Sequence, residues 1–163
     1  MKNLAKWKLP MPVCALLALA SVLGLVSGAL CAYASFANRS EARLIMSGQS
    51  LPLLVARTQA EHFKGLSGRA SLDPYAGMLF VFPRPGQYPL VMRDMEFALD
   101  MVWIYEGKIV DIAHNTGVET GVPEEQLRLY QPRSPANLIL ELRSGSAQKY
   151  GLKIGDSLDL AGY

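Results

Sequence analysis

"MRDMEFALDMVWI", residues 92–104, is the stretch on which the fold turns. At helical spacing, Met92, Met95, Leu99 and Val102 fall on one face. At a period of two, residues 101–105 form an apolar, β-branched and aromatic run that suits a strand. The flanks decide between them. Glu106-Gly107 followed by "KIVDIA" has the form of a tight hairpin, because glycine reaches positive φ without Cβ strain. Residues 101–105 are therefore predicted as a strand. Val102 and Ile104 share the face of Asp100, while Met101, Trp103 and Tyr105 take the other. Both faces are apolar, so the strand is expected to be covered on both sides with Asp100 at its start. A carboxylate there needs a partner, since stripping its water is costly. Arg69, Arg93 and nearby backbone amides are all chemically suited to the role.

Working outward, "EARLIM" and "LPLLVA" are short apolar runs joined by Ser47-Gly48-Gln49-Ser50, a hairpin signal, with Pro52 near a strand start or an edge. Thr58 and Glu61 have capping-box spacing and open a short helix that Gly68 is placed to close. Asp73-Pro74 marks a turn, "GMLFVF" (77–82) is a strand, and "PRPG" (83–86) is expected to stop it. Residues 115–135, with two glycines and three prolines, read as a long loop with a helical turn near Glu124. "ANLILEL" is a further strand. "SGSAQKYGLKIGD" is a short helix after Ser144, closed by Gly151, and a turn then leads into "SLDL". Many short strands with one or two short helices predict a mainly β fold, a small β-barrel or jelly-roll-like sandwich with a minor helical part.

The first 34 residues stand apart. Lys2, Lys6 and Lys8 precede a charge-free apolar run that ends in Ala32-Tyr33-Ala34, a small-x-small pattern. This predicts a secretory signal cut after Ala34, giving an exported, periplasmic or extracytoplasmic domain over residues 35–163. The alternative is an uncleaved anchor over residues 11–34 in the inner membrane, since the run exceeds about 18 residues. Any membrane contact would be through this segment alone. Of the 16 Lys and Arg, three lie in the leader, leaving 13 against 14 Asp and Glu. A near-neutral domain carries no footprint for nucleic acid. Both cysteines, Cys14 and Cys31, are also in the leader, so the remaining chain has no thiol nucleophile, disulfide or cysteine metal site.

"GLSGR" (65–69), "GMLFVF" (77–82), "MRDMEFALDMVWI" (92–104) and "ANLILELRSGSAQKYGLKIGD" (136–156) resemble, in order and spacing, the domain of unknown function 192 of bacteria and archaea. The likeness runs from about Ile45 to Leu160. That family commonly has Trp before the Met of the third motif and Pro before its aliphatic-Asp pair, where this chain has Val91 and Ala98. The resemblance implies a compact β-barrel or jelly-roll-like sandwich, often exported, and implies no particular reaction.

The residues read as chemistry-bearing are few. In an extended strand Asp94 and Asp100 would stand roughly 20 Å apart, too far for a two-carboxylate mechanism that needs about 5 to 9.5 Å. His62 and His114 lack metal-ligand spacing, so neither a metal nor another cofactor is expected. "GLSGR" follows a helix rather than a strand and is no nucleophile elbow. Phe80, Phe82, Tyr88, Met92, Met95, Trp103 and Tyr105 are ordinary core residues or the wall of one cavity. With Arg69, Arg93, Asp94 and His114 at the rim, such a cavity would be a ligand site. The leading expectation is a non-enzymatic exported domain that binds a small molecule or a cell-envelope component. Arg69, Arg93, Asp94, Asp100, Trp103 and His114 are its candidate residues. Two alternatives stand beside it. One is a hydrolase or transferase on an envelope component, which requires Asp94, Asp100 or His114 to converge in a cleft. The other is a purely structural interaction domain, marked by a broad exposed apolar patch.

Overall fold

The structure, a computed structural model, describes residues 42–163; the predicted leader lies outside them. The first two apolar runs pair as the antiparallel strands β1 (Ala42–Met46) and β2 (Gln49–Ala56), turned by Ser47 and Gly48 at φ of 50° and 74°. The capping box forms as its spacing predicts. Thr58 Oγ1 accepts from the Glu61 amide and the Glu61 carboxylate accepts from the Thr58 amide, opening helix α1 (Gln59–Lys64). Gly65 rather than Gly68 ends that helix, its amide donating to the Glu61 carbonyl at φ 46°. Gly68 instead donates to the carbonyl of Asp94.

The chain returns through α1 to lay β3 (Gly77–Gly86) parallel to β2. A parallel neighbour needs such a crossover, and here one short helix and a loop supply it. The prolines of "PRPG" do not stop β3. They fall where pairing with β6 (Ala136–Arg143) shifts between Val81 and Gly86, and Pro83, Arg84 and Pro85 are exposed, so the donors missing at the prolines break no buried ladder. β4 (Leu99–Tyr105) starts two residues before the predicted strand because Leu99 and Asp100 pair with Arg143 and Leu142. It turns at Glu106-Gly107 into β5 (Lys108–Thr116). A 3₁₀ turn at Glu124–Gln126 occupies the long loop near Glu124. β6 (Ala136–Arg143) then inserts between β3 and β4. Helix α2 (Ser146–Lys149) ends on Gly151 with the amides of Gly151 and Leu152 donating back to Gln148 and Ala147, a Schellman closure. The final strand is β7 (Asp159–Ala161).

The result is one sheet in the order β5-β4-β6-β3-β2-β1-β7. It is mainly β, curled into a half-barrel with two short helices. Alternation along the strands builds two cores, one on each face. Leu54, Met78, Phe80, Met101, Trp103 and Ile139 pack on one face under α1 and the segment 87–98. Leu53, Leu79, Val102, Ile104, Leu140 and Leu142 pack on the other with Ala147 and Leu152. β3 and β6 lie so close that a Cβ on Gly77 would stand 2.2 Å from the Glu141 carbonyl oxygen. Only glycine fits there.

Candidate ligand-binding site

The "GLSGR" and "MRDM" segments meet over the first of these faces. Ser67 Oγ donates to the Arg93 carbonyl at 2.7 Å, and the Gly68 amide donates to the Asp94 carbonyl at 2.8 Å. Asp94 adopts φ 49°, a left-handed conformation that Asp and Asn tolerate better than most side chains. Arg93 then folds back over α1. Its Nη1 donates to the Phe63 carbonyl at 2.9 Å, its guanidinium lies 4.1 Å from the centre of the Phe63 ring, and it pairs with Glu124 from the long loop. That pairing raises the Arg93 pKa and lowers that of Glu124.

Beneath this clasp lies a pocket of about 300 Å³ between α1, β3, β6 and the segment 87–95. Its walls are aromatic. The rings of Phe82 and Tyr88 stack with centres 3.8 Å apart, and His62 leans on Phe82 at 4.3 Å. The two polar rings are each anchored by a bond outside the stack. Tyr88 donates its hydroxyl to the Arg84 carbonyl at 2.9 Å, and His62 Nε2 donates to the Ala56 carbonyl at 3.1 Å. Trp103 fixes the wall from below, its indole N–H donating to the Tyr88 carbonyl at 3.1 Å.

Glu141 also lines this pocket. It stands in mid-sheet, opposite Met78 of β3 and Met101 of β4, and is 4% exposed. Its carboxyl makes no hydrogen bond and no ion pair among the described residues, and burial pushes its pKa up to about 8. The other two buried acids are served. Asp100 accepts from the Asn115 and Ala147 amides at 2.9 and 2.8 Å. Asp111 is held by the amide and guanidinium of Arg133, whose bonds hold it below the usual carboxylate range.

The sequence candidates are distributed over several places. Arg93 is the one whose side chain lines the aromatic pocket, and it also borders a second hollow with Asp94 and Glu124. Asp100 and His114 border a third, beside α2. Asp94 is thus apart from Asp100 and His114, and the three do not line one cleft. Trp103 is 1% exposed and belongs to the core beneath the pocket. Arg69 is half-buried and lines none of these three hollows. Neither Arg69 nor Arg93 reaches Asp100, whose partners are backbone amides. Among the described residues, no three His, Cys, Asp or Glu side chains group as metal ligands.

The residue missed from the sequence is Glu141. The signal was present, since Glu141 interrupts "LILEL" as Asp100 interrupts "LDM". A charge inside a strand with apolar neighbours on both sides is unusual wherever it occurs.

Comparison with known proteins extends the picture. The family model described as "Uncharacterized ACR", domain of unknown function 192, matches residues 42–160. A candidate transcription regulator from Sinorhizobium meliloti 1021 has a similar structure, with 28% identity and a TM-score of 0.63 over 76% of this chain and 94% of that one. A protein of unknown function from Novosphingobium aromaticivorans DSM 12444 is also similar, with 26% identity and a TM-score of 0.60 over 73% and 83% of the two chains. No protein of curated function matches.

Proposed function

Since the chain belongs to the domain of unknown function 192 family, itself uncharacterised, we propose from its own geometry that it is an exported, non-enzymatic domain that binds a small molecule or a small part of an envelope component. The site is the aromatic pocket between α1 and the sheet. The observation that carries this reading is Glu141, 4% exposed, whose carboxyl opens on the wall of that pocket without a protein partner among the described residues. An uncompensated polar group in an apolar site lowers stability, and function is the usual reason for keeping one. The stacked Phe82 and Tyr88 rings add a rigid apolar wall, the usual setting for a small ligand with a few polar contacts. A near-balanced charge, 13 basic against 14 acidic residues beyond the leader, gives no footprint for nucleic acid.

Export rests on the leader alone, and N-terminal sequencing of the mature protein should begin at Ser35. The binding reading is tested by titrating the purified protein with small aromatic fragments while following its amide NMR spectrum. Shifts should concentrate at residues 62–67, 80–82, 88–95 and 141. Shifts confined to the hollows beside α2 or the long loop, or no shifts at all, would overturn it.

A further inference from the structure

Glu141 is the one buried acid among the described residues with nothing to bind, and that defines what its ligand must bring. A glutamine could occupy the same position and meet a neutral donor or acceptor, with no risk of a buried charge. What glutamate adds is a proton that can leave, placing a full negative charge against apolar walls. An ammonium lodged beside it compensates such a charge more fully than neutral donors do, because the bonds are then charged at both ends. The walls are suited to one, because the faces of Phe and Tyr rings attract cations.

Resting on the pocket reading above, we propose that the site selects an amine: its ammonium bonds the Glu141 carboxylate and its apolar part lies against Phe80, Phe82 and Tyr88. The proton balance is simple. The O–H bond of neutral Glu141 breaks and its proton passes to solvent, the ligand keeps its own ammonium protons, and N–H···O bonds form. About one proton is released for each amine bound well below pH 8. The other charged or titratable groups lining the pocket are His62 and Lys64 from α1 and Tyr88 and Arg93 from the segment 87–95. Arg93 is already paired with Glu124, and His62 Nε2 is engaged by the Ala56 carbonyl. β3 lines the pocket only with Phe80 and Phe82, and β4 sets uncharged Met101 beside Glu141.

Because burial holds Glu141 protonated up to about pH 8, the sign of the pH dependence identifies the ligand class. An amine must ionise Glu141, so its affinity rises about tenfold per pH unit below 8. An anion needs the proton retained, so its affinity falls as pH passes 8. A neutral ligand shows no slope.

The experiment is a titration of the purified protein and of Glu141→Gln with benzylamine, benzyl alcohol and benzoate at pH 6, 7, 8 and 9, with Kd from amide NMR shifts and proton release by calorimetry in two buffers. Benzylamine should bind at least tenfold more tightly than benzyl alcohol at pH 8, with the rising slope and with proton release at pH 6. Glu141→Gln should keep its fold while losing both the amine preference and the slope. Equal binding of benzylamine and benzyl alcohol, or benzoate binding most tightly, overturns the amine proposal and leaves the pocket standing. Failure of all three probes overturns the pocket reading with it.

Discussion

Asp100 is 1% exposed, and both of its oxygens accept backbone N–H bonds, from Asn115 at the end of β5 and from Ala147 in the first turn of α2. The carboxylate therefore ties strand β4 to two elements that approach from different directions. Asp100→Ala would strand two donors and should lower stability by roughly 3 kcal/mol or more, the scale for losing charged hydrogen bonds and leaving buried groups unmet. Thermal unfolding checks this, and a variant that melts with the parent would show that water replaces the carboxylate without cost. Glu141 acts in the opposite direction. Its folded pKa of about 8 lies above the ordinary 4.5, so below pH 4.5 both folded and unfolded chains hold the proton and no penalty arises. Between 4.5 and about 8 the unfolded chain ionises while the folded one does not, and stability falls by about 1.4 kcal/mol per pH unit. Above 8 both are ionised and the penalty is constant. Glu141→Gln should accordingly exceed the parent in urea midpoint at pH 8, with the gap closing toward pH 4.5. A gap that does not change with pH would mean that the acid is ionised in the fold.

Among the elements, the β4–β5 hairpin follows most directly from local chemistry. Glu106 and Gly107 both take positive φ, 49° and 73°, as a two-residue turn of the hairpin type requires. A Cβ on Gly107 would meet nothing within 4 Å, so the whole cost of a substitution there is backbone strain. Gly107→Val should lower stability by more than about 1 kcal/mol, and Gly107→Asn by less, since asparagine tolerates the left-handed region. Comparing the two melting temperatures separates strain from packing, which would penalise both. The capping box of α1, the Schellman closure of α2 and the hairpins were legible for the same reason: each is decided by residues within a few positions of one another. The extension of β3 through Pro83 and Pro85 was not, because whether a proline harms a strand depends on which edge is unpaired there. The parallel pairing of β2 with β3 was equally hidden, because it is chosen by the sheet and not by either strand.

For the molecule as a whole, the same division explains the site. Phe80, Phe82, Tyr88 and Arg93 were recognisable as candidates by residue type, but their convergence with His62 and Glu141 depends on α1 folding back across one face. Which face Glu141 takes follows only from its register opposite Met78 and Met101. The curl that shapes that face is held at the two ends of the sheet by one C-terminal segment. Gly155 donates to the Ile109 carbonyl and Leu158 to that of Gly107, while Ile109 donates to the Asp156 carbonyl, so residues 155–158 pair with the start of β5. A few residues later β7 pairs with β1, the opposite end of the strand order. Removing residues 155–163 should therefore free both edges in one step and lower the melting temperature. Amide exchange should then quicken together in β1 and at residues 107–109, while the central β3–β6–β4 ladder, whose bonds do not involve the segment, keeps most of its protection. Faster exchange in β1 alone would mean that the half-barrel keeps its curl through strand twist and core packing, with the C-terminal segment resting on an edge that needs no support.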